Sequence, residues 1–178
     1  ELTRNYRDAY NLFTCSGILF NHESPRRGFE FVTRKISLAV AKIKNGLQKE
    51  LSLGNIKSKR DWGHAKDYVE AMWKILNHNK PDDFVISTNR KYKIKTFVEI
   101  VCKRLNLKIK WKGKGLKEKA YDDKGNCIIK IDKRYFRPLE VENLRGNYSK
   151  ARKVLNWKPK RNINQLVNEM VNYEIKNA

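Results

Sequence analysis

Segments with strand-like and helix-like patterns alternate along the chain, and this alternation is the feature that most restricts its fold. A short apolar strand is predicted over residues 15–22, followed by an amphipathic helix over 29–46. A helix around 67–75, a strand over 82–88 and a helix over 94–107 continue the order. Strands that alternate with helices are typical of an α/β fold with a partly parallel sheet. With 178 residues, the chain has the size of one domain and can bury a substantial core.

Both ends of the chain are predicted to be helical. Residues 1–13 carry apolar side chains at helical spacing but begin without an N-capping residue, which is typical of the second half of a helix. Residues 108–138 favour strands around a turn at Asp122–Gly125, and a short helix is predicted to end before Pro159. Residues 163–178 are predicted to form a closing amphipathic helix.

The chain is strongly basic, since 40 lysines and arginines against 19 aspartates and glutamates give a formal net charge of +21. Such a charge is compatible with a basic nucleic-acid-binding protein, which is one alternative. It is also compatible with a solvated basic surface, because the lysines are spread along the chain and no recognition helix, zinc-finger spacing or base-stacking motif occurs. Acidic small molecules such as nucleotide diphosphates would suit the same charge.

Three cysteines, Cys15, Cys102 and Cys127, are widely separated and odd in number, which fits neither a zinc site nor a disulfide framework. We therefore expect reduced thiols and no metal site. No apolar run reaches the ~18 residues of a membrane-spanning helix, and we expect no signal peptide. These features favour a cytoplasmic protein.

The run NHESPRRG, residues 21–28, is a polar segment between a predicted strand and a predicted helix. Open α/β sheets bind ligands at such strand ends. The mixture of side chains suits neither a half-buried strand nor an amphipathic helix, and Pro25 and Gly28 favour a turn. Lys35 lies at the edge of the apolar stripe of the next helix, where it either extends to solvent or points into a cleft. On these residues alone, the segment is either a surface turn or a ligand-binding loop.

Several longer motifs narrow the choice. The runs NYRDAYNLF, NHESPRRG, KRDWGHAKDYVEAMW and YFRPLEVENLRGNYSKARKVLNWKP follow one another in the order, and close to the spacing, of the GDP-mannose 4,6-dehydratase family. The chain resembles this family over nearly its whole length. Epimerases and other sugar-nucleotide dehydratases would share only the looser patterns N-x-x-x-P-R and R-D-x-x-x-x-x-D.

The resemblance implies a fold and a division into domains. The family belongs to the extended short-chain dehydrogenases/reductases, so we expect the last part of a Rossmann-like NADP-binding domain plus the smaller C-terminal α/β substrate-binding domain. Residues 1–30 would be the remnant of the dinucleotide-binding domain, and residues 31–178 mainly the substrate-binding domain. Residues 62–90 would return to the Rossmann sheet.

The resemblance also implies a reaction. Members of the family convert GDP-mannose to GDP-4-keto-6-deoxymannose, a precursor of GDP-fucose. NADP takes a hydride from C4 of the mannose, water leaves across C5 and C6, and the same hydride returns to C6. Homo-oligomers, either dimers or tetramers, are expected from the same resemblance.

The catalytic motifs of the family do not occur in these residues. No glycine-rich cofactor turn, Thr-x-Glu or Tyr-x-x-x-Lys is present, and residue 1 falls just past the position of the Tyr-x-x-x-Lys motif. We therefore expect no catalytic residue in the chain, which would be a fragment or one half of a split enzyme. The alternative is a GDP-sugar-binding or nucleotide-binding half without chemistry.

Binding residues, in contrast, can be carried over from the resemblance. Asn21 matches a substrate contact, where its amide can donate to a sugar or diphosphate oxygen. His22 and Arg27 match contacts to NADP, and a guanidinium suits phosphate oxygens.

Four further residues match contacts to the GDP part of the substrate. Lys35 matches the lysine that reaches guanine O6, while Arg60 and Arg137 match the two arginines that hold the diphosphate. Glu140 matches the glutamate that accepts from the ribose hydroxyls. Four nearby residues are expected to have structural roles instead. Asp67 would cap its helix or hold Arg60 in place, and His64 would pack in the interior. Trp62 and Tyr135 would belong to the core or to the wall of the binding site.

Overall fold

The computed structural model describes residues 1–136 and 139–177, and the chain divides into two compact units. The first unit contains Glu1–Glu23, Asp61–Lys91 and Leu144–Ile163. The second contains Ser24–Arg60, Tyr92–Asn143 and the stretch from Asn164 onward. Each unit is thus assembled from three separate stretches of sequence, because the chain passes between them several times.

The helices and strands alternate as the sequence predicts. The α-helices are α1 Leu2–Tyr10, α2 Val32–Lys44, α3 Ala65–Leu76, α4 Ile94–Arg104, α5 Ser149–Leu155 and α6 Ile163–Asn177. The strands are β1 Ser16–Leu19, β2 Asn21–Glu23, β3 Leu51–Leu53, β4 Lys59–Arg60, β5 Trp62–His64, β6 Asp83–Ile86, β7 Tyr92–Lys93, β8 Lys110–Lys112, β9 Lys119–Tyr121 and β10 Cys127–Ile131. The predicted α/β class with partly parallel strands is confirmed.

The first unit is built on parallel strand pairs. Strand β1 pairs with β6, and β2 pairs with β5. Helices α3 and α5 pack on β6, and the buried cluster between them has Phe84, Trp157 and Tyr68 as its largest members. Parallel strands are normally covered on both faces, which agrees with the apolar run at residues 84–86.

The second unit is built on a four-stranded sheet in the order β3-β10-β9-β8. Strands β3 and β10 are parallel, whereas β10 with β9 and β9 with β8 are antiparallel. Gly125 has a φ of +85° in the turn that joins β9 to β10, a backbone conformation that favours glycine. The hairpin predicted around Asp122–Gly125 is therefore confirmed. Helices α2 and α4 contact each other in this unit.

Three boundaries differ from those predicted. The strand expected over residues 15–22 is divided into two strands, β1 and β2, and Asn21 and His22 lie on the second of them. Residues 60–62, for which the sequence favours a loop before the helix around 67–75, contain the end of β4 and the start of β5. Segments of two or three residues become strands when a partner strand supplies their hydrogen bonds. Local sequence does not reveal such a partner. The helix expected from residue 29 begins at Val32, since Phe31 is still extended.

Membrane-spanning helices and disulfide bonds can be assessed over the residues that the structure describes. Over residues 1–136 and 139–177, no helix has the length and apolar character needed to cross a membrane. Cys15, Cys102 and Cys127 are free in the structure, and burial raises the pKa of the Cys102 thiol to about 12.

Candidate functional site

Strand β2 places Asn21 and His22 next to strand β5. The two strands are parallel, with Asn21 opposite Trp62 and His22 opposite Gly63. A Cβ on Gly63 would lie 2.2 Å from a ring carbon of Tyr68, so that a larger residue would displace this ring. Glycine at position 63 therefore allows the Tyr68 ring to approach the strand pair closely.

The orientation of His22 is fixed by two contacts. Its Nδ1 lies 2.9 Å from the carbonyl oxygen of Phe20, and its ring stacks on that of Tyr68 with 4.9 Å between centroids. A carbonyl oxygen can only accept, so the contact places the proton on Nδ1. In the neutral ring, Nε2 is then the hydrogen-bond acceptor of His22.

Tyr68, which supports His22, lies among buried carboxylates. It is 0 % exposed, and its hydroxyl has no hydrogen-bond partner within the described ranges. Burial raises the pKa of Tyr68, and the charges of Asp61, Asp67 and Glu23 raise it further. The phenol is therefore neutral, and the ring acts as an apolar platform under the imidazole.

The segment from Ser24 to Phe31 is held by Arg34. The Nη1 of Arg34 donates to the carbonyl oxygens of Pro25 and Arg27, the second at 2.9 Å. Its guanidinium also forms an ion pair with Glu174 of α6. Burial raises the pKa of Glu174, and the charge of Arg34 opposes that shift. The backbone of residues 25–27 is thereby tied to α6.

Arg27 lies in this anchored segment. Its guanidinium lies over the ring of Phe31, 3.5 Å from the centroid. Stacking on an aromatic ring holds the plane of a guanidinium while its edge can still bond to oxygen atoms. This arrangement presents a flat cation that suits a phosphate or another anion.

Lys35 contacts Tyr135 in the second unit. Its Nζ lies 3.7 Å from the centroid of the half-exposed Tyr135 ring. A Cβ on Gly54 would lie 2.2 Å from the carbonyl oxygen of Tyr135, so glycine is needed for the backbone of residue 135 to come this close. Sequence analysis left two orientations of Lys35 open, and the structure places its ammonium on an aromatic face.

Arg60 and Glu140 form an ion pair with 3.0 Å between Nη2 and Oε1. Their side chains are 14 % and 16 % exposed, and Arg60 also donates to the carbonyl oxygens of Lys59 and Val141. The resemblance gave these residues separate ligand contacts, and the structure brings them together across 80 positions of sequence. Arg137, the other predicted diphosphate contact, lies outside the described residues.

The structural role of Asp67 differs from the one predicted, whereas His64 is buried, as expected for a packing histidine, and also caps helix α3. Asp67 accepts from the backbone N–H groups of Lys160 and Arg161 and pairs with the Arg161 guanidinium, so the expectation that it caps its helix or holds Arg60 was wrong. His64 is the capping residue, because its Nδ1 accepts from Lys66 N–H at 3.1 Å. Trp62 is 2 % exposed and belongs to the core.

The predicted binding residues fall into two groups. Asn21 and His22 belong to the first unit, whereas Arg27, Lys35, Arg60 and Glu140 belong to the second. Within the described ranges, no group of three or more histidine, cysteine or carboxylate side chains could hold a metal ion. The side chains of the second group are mostly cationic, which suits a phosphorylated ligand.

Comparison with known proteins decides the family. The sequence profile described as GDP-mannose 4,6 dehydratase matches residues 1–170. The chain belongs to the GDP-mannose 4,6-dehydratase family.

Relatives within this family are similar over almost the whole chain. The chain is 53 % identical to GDP-mannose 4,6 dehydratase of Dictyostelium discoideum over 172 residues, which is 96 % of the chain and 48 % of the relative. It is 50 % identical to the human enzyme over 172 residues, or 96 % of the chain and 46 % of the relative. The chain therefore spans about half the length of the curated relatives it matches.

Solved structures share the fold of this dehydratase-family chain. A structure of RMD from Pseudomonas aeruginosa complexed with NADPH superposes with a TM-score of 0.80 at 20 % identity, covering 99 % of the chain and 52 % of that structure. The dTDP-glucose 4,6-dehydratase of Bacillus anthracis in complex with NAD superposes with a TM-score of 0.75 at 22 % identity, covering 99 % and 49 %. These matches confirm that the chain has the same α/β fold as about half of each of these two structures.

Sequence analysis missed the residues that support the predicted contacts. Tyr68 under His22, Tyr135 under Lys35 and Arg34 behind Arg27 received either no role or an unspecific one. Arg34 carried one signal, since a charged residue stands at a position that the helical pattern of α2 makes buried. The two tyrosines carried no such signal, because their partners lie 46 and 100 positions away in sequence.

Proposed function

We propose that this chain is the substrate-binding part, with the adjoining cofactor contacts, of an NADP-dependent GDP-mannose 4,6-dehydratase. The complete protein would convert GDP-mannose to GDP-4-keto-6-deoxymannose. The observation that carries the proposal is the family match over residues 1–170. The cationic side chains at the matching positions, above all Arg60 and Lys35, support it.

Recognition of GDP is assigned to residues of the second unit. Arg60, oriented by Glu140, would donate to the diphosphate through its forked N–H groups, together with Arg137. Glu140 would accept from the ribose hydroxyls, and Lys35 would donate to guanine O6. The Tyr135 ring beneath Lys35 gives this lysine a fixed position, which a base-selective contact requires.

Recognition of NADP is assigned to His22 and Arg27. The residues fit this cofactor, because Nε2 of His22 is an acceptor of defined orientation and Arg27 presents a flat cation for phosphate oxygens. When bound, NADP would accept a hydride from the sugar and return it. The role of the chain itself is to hold the two ligands, with Asn21 donating to the substrate.

The domain assignment is proposed with this function. The unit that contains β1, β2, β5 and β6 would be the part of the dinucleotide-binding domain, and the unit that contains the four-stranded sheet would bind the sugar nucleotide. The groups that transfer protons in the dehydration are not assigned to this chain, which spans about half the length of its curated relatives.

The experiment that tests the function is a product assay on the complete protein. GDP-mannose and NADP are incubated with the protein, and the 4-keto-6-deoxy sugar is detected by NMR, with UDP-glucose and dTDP-glucose as control substrates. Formation of the keto sugar from GDP-mannose alone supports the proposal. Binding of GDP-mannose without turnover would instead support a nucleotide-binding half without chemistry, and turnover of UDP-glucose would contradict the substrate assignment.

A further inference from the structure

Four lysines of the second unit line one cavity that is separate from the proposed GDP contacts. The cavity has a volume of about 490 Å³, and Lys57, Lys59, Lys93 and Lys95 are among its lining residues. We call these four residues the lysine cluster. Arg60 is absent from the lining residues, although it follows Lys59 directly.

The backbone explains how the lysine cluster forms. Strands β4 and β7 are antiparallel, and Lys59 lies directly opposite Lys93. The backbone N–H groups of Ile94 and Lys95 donate to the carbonyl oxygens of Ser58 and Ile56, so the pairing continues toward Lys57. Side chains alternate between the two faces of a strand, so Arg60 extends from the face opposite to that of Lys59.

The charges of the cluster are only partly compensated. Two carboxylates line the cavity with the lysines. Glu118 pairs with Lys95, with 2.6 Å between Oε1 and Nζ, and Glu142 is the other. Across residues 1–136 and 139–177, the ammonium groups of Lys57, Lys59 and Lys93 have no carboxylate within ion-pair distance. Like charges on directly opposed strand residues destabilise a sheet, so the pairing of Lys59 with Lys93 has an electrostatic cost. A bound anion would remove this cost.

A buried hydroxyl favours an anion at the same place. Ser58 also lines the cavity, and its buried hydroxyl has no hydrogen-bond partner in the parts of the chain that the structure describes. A buried hydroxyl without a partner is costly, and a phosphate oxygen or its bound water would be an acceptor for it.

We propose that this cavity is a binding site for a compact phosphorylated anion that carries at least two negative charges, such as pyrophosphate or the phosphate groups of a nucleotide. Four lysines against two carboxylates give the lining a formal charge of +2, and the ammonium groups and the Ser58 hydroxyl suit phosphate oxygens. The residues that line the cavity include no aromatic ring on which a base could stack, which favours a small anion over a single-stranded nucleic acid. The proposal is independent of the dehydratase function, because it uses none of the residues assigned to GDP-mannose or NADP.

The test is calorimetric titration with pyrophosphate at fixed ionic strength. It is carried out on the complete protein carrying Arg60→Ala, so that the proposed diphosphate contact does not contribute. Lys59→Gln with Lys93→Gln removes two charges from the cluster, and Lys103→Gln with Lys108→Gln removes two exposed charges elsewhere. We expect pyrophosphate binding to weaken by about tenfold or more in the first pair and to change little in the second. Equal weakening in both pairs would overturn the proposal, because the net charge alone would then hold the anion.

A second measurement does not depend on the folding of any variant. Pyrophosphate is titrated into the ¹⁵N-labelled parent protein, and the shifts of backbone amides are mapped. The proposal predicts that the largest shifts cluster at residues 57–59 and 93–95 and saturate. Shifts spread over lysines throughout the chain would overturn it, as would an oligonucleotide that displaces pyrophosphate with a steep dependence on salt.

Discussion

The guanidinium of Arg34 and the carboxylate of Glu174 form a buried ion pair, with side chains that are 7 % and 2 % exposed. Removing one partner leaves an uncompensated buried charge, so Arg34→Met or Glu174→Met should each lower the free energy of unfolding by about 3–5 kcal/mol. The double substitution should cost far less than the sum, because it leaves neither charge behind. Urea denaturation of the parent, the two single variants and the double variant measures these free energies of unfolding. Additive losses would show that the two charges do not interact.

The ion pair between Arg7 and Asp83 should make stability depend on acid. The hydrogen bond from Arg7 lowers the pKa of Asp83 to about 2, against about 3.9 in an unfolded chain. The stabilisation is therefore complete above pH ~4 and is lost as the pH falls through 2. Asp83→Asn should reduce the fall in urea midpoint between pH 5 and pH 2.5. Asp8→Asn, at an exposed carboxylate 3.9 Å from Arg7, is the control and should keep the parent's acid dependence.

The stacking of Tyr68 on His22 should matter for NADP retention. Tyr68→Leu removes the ring and should weaken NADP binding about two- to tenfold, the equivalent of one aromatic contact. Tyr68→Phe keeps the ring and loses only a hydroxyl without a partner in the described chain, so it should bind NADP like the parent. Fluorescence titration of the complete protein with NADPH measures both. If Tyr68→Leu folds and binds NADPH like Tyr68→Phe, the stack does not position His22 for the cofactor.

Helix α3 is apolar on two faces, and we expect the outer face to contact another chain. Tyr68, Ala71 and Ile75 are buried, while Val69, Trp73 and Leu76 are each more than 60 % exposed on the opposite side. A helix that is apolar all round is normally buried. The 178-residue chain should therefore self-associate in light scattering, and Trp73→Lys should reduce the associated fraction.

The control for this association is Leu116→Lys, which changes a half-exposed leucine in the other unit. It should leave the associated fraction unchanged. A monomeric parent chain at every concentration tested would contradict the expectation for α3, and would also count against the homo-oligomer expected from the family resemblance.

The spacing of apolar residues and the turn sequences predicted those helices and hairpins that depend on neighbouring residues. Helix α6 follows from apolar spacing, and the β9–β10 hairpin follows from its Asp-Asp-Lys-Gly turn. Strands β2 and β5 have three residues each and pair with each other across 41 positions, so local pattern neither separated β2 from β1 nor marked β5. The contacts of Asp67 with Lys160 and Arg161 depend on distant sequence in the same way.

The contacts within the candidate site were even less predictable from local sequence than the short strands. Its residue types suggested a phosphorylated ligand, but individual roles came from the family resemblance and not from spacing. The Arg60–Glu140 pair spans 80 positions, and the Lys35–Tyr135 contact spans 100, so only the folded chain brings these side chains together.

Calorimetric titration of the complete protein with GDP tests the central claim most directly. Arg60→Ala should weaken GDP binding by about 1.5–3 kcal/mol, which is roughly tenfold to a hundredfold in dissociation constant. Arg60→Lys should recover only part of this, because an ammonium lacks the forked geometry. Arg104→Ala, which removes a guanidinium that contacts Asn172 on the surface, is the matched control and should bind like the parent. If Arg60→Ala also binds GDP like the parent, Arg60 does not hold the diphosphate and the proposed substrate site is wrong.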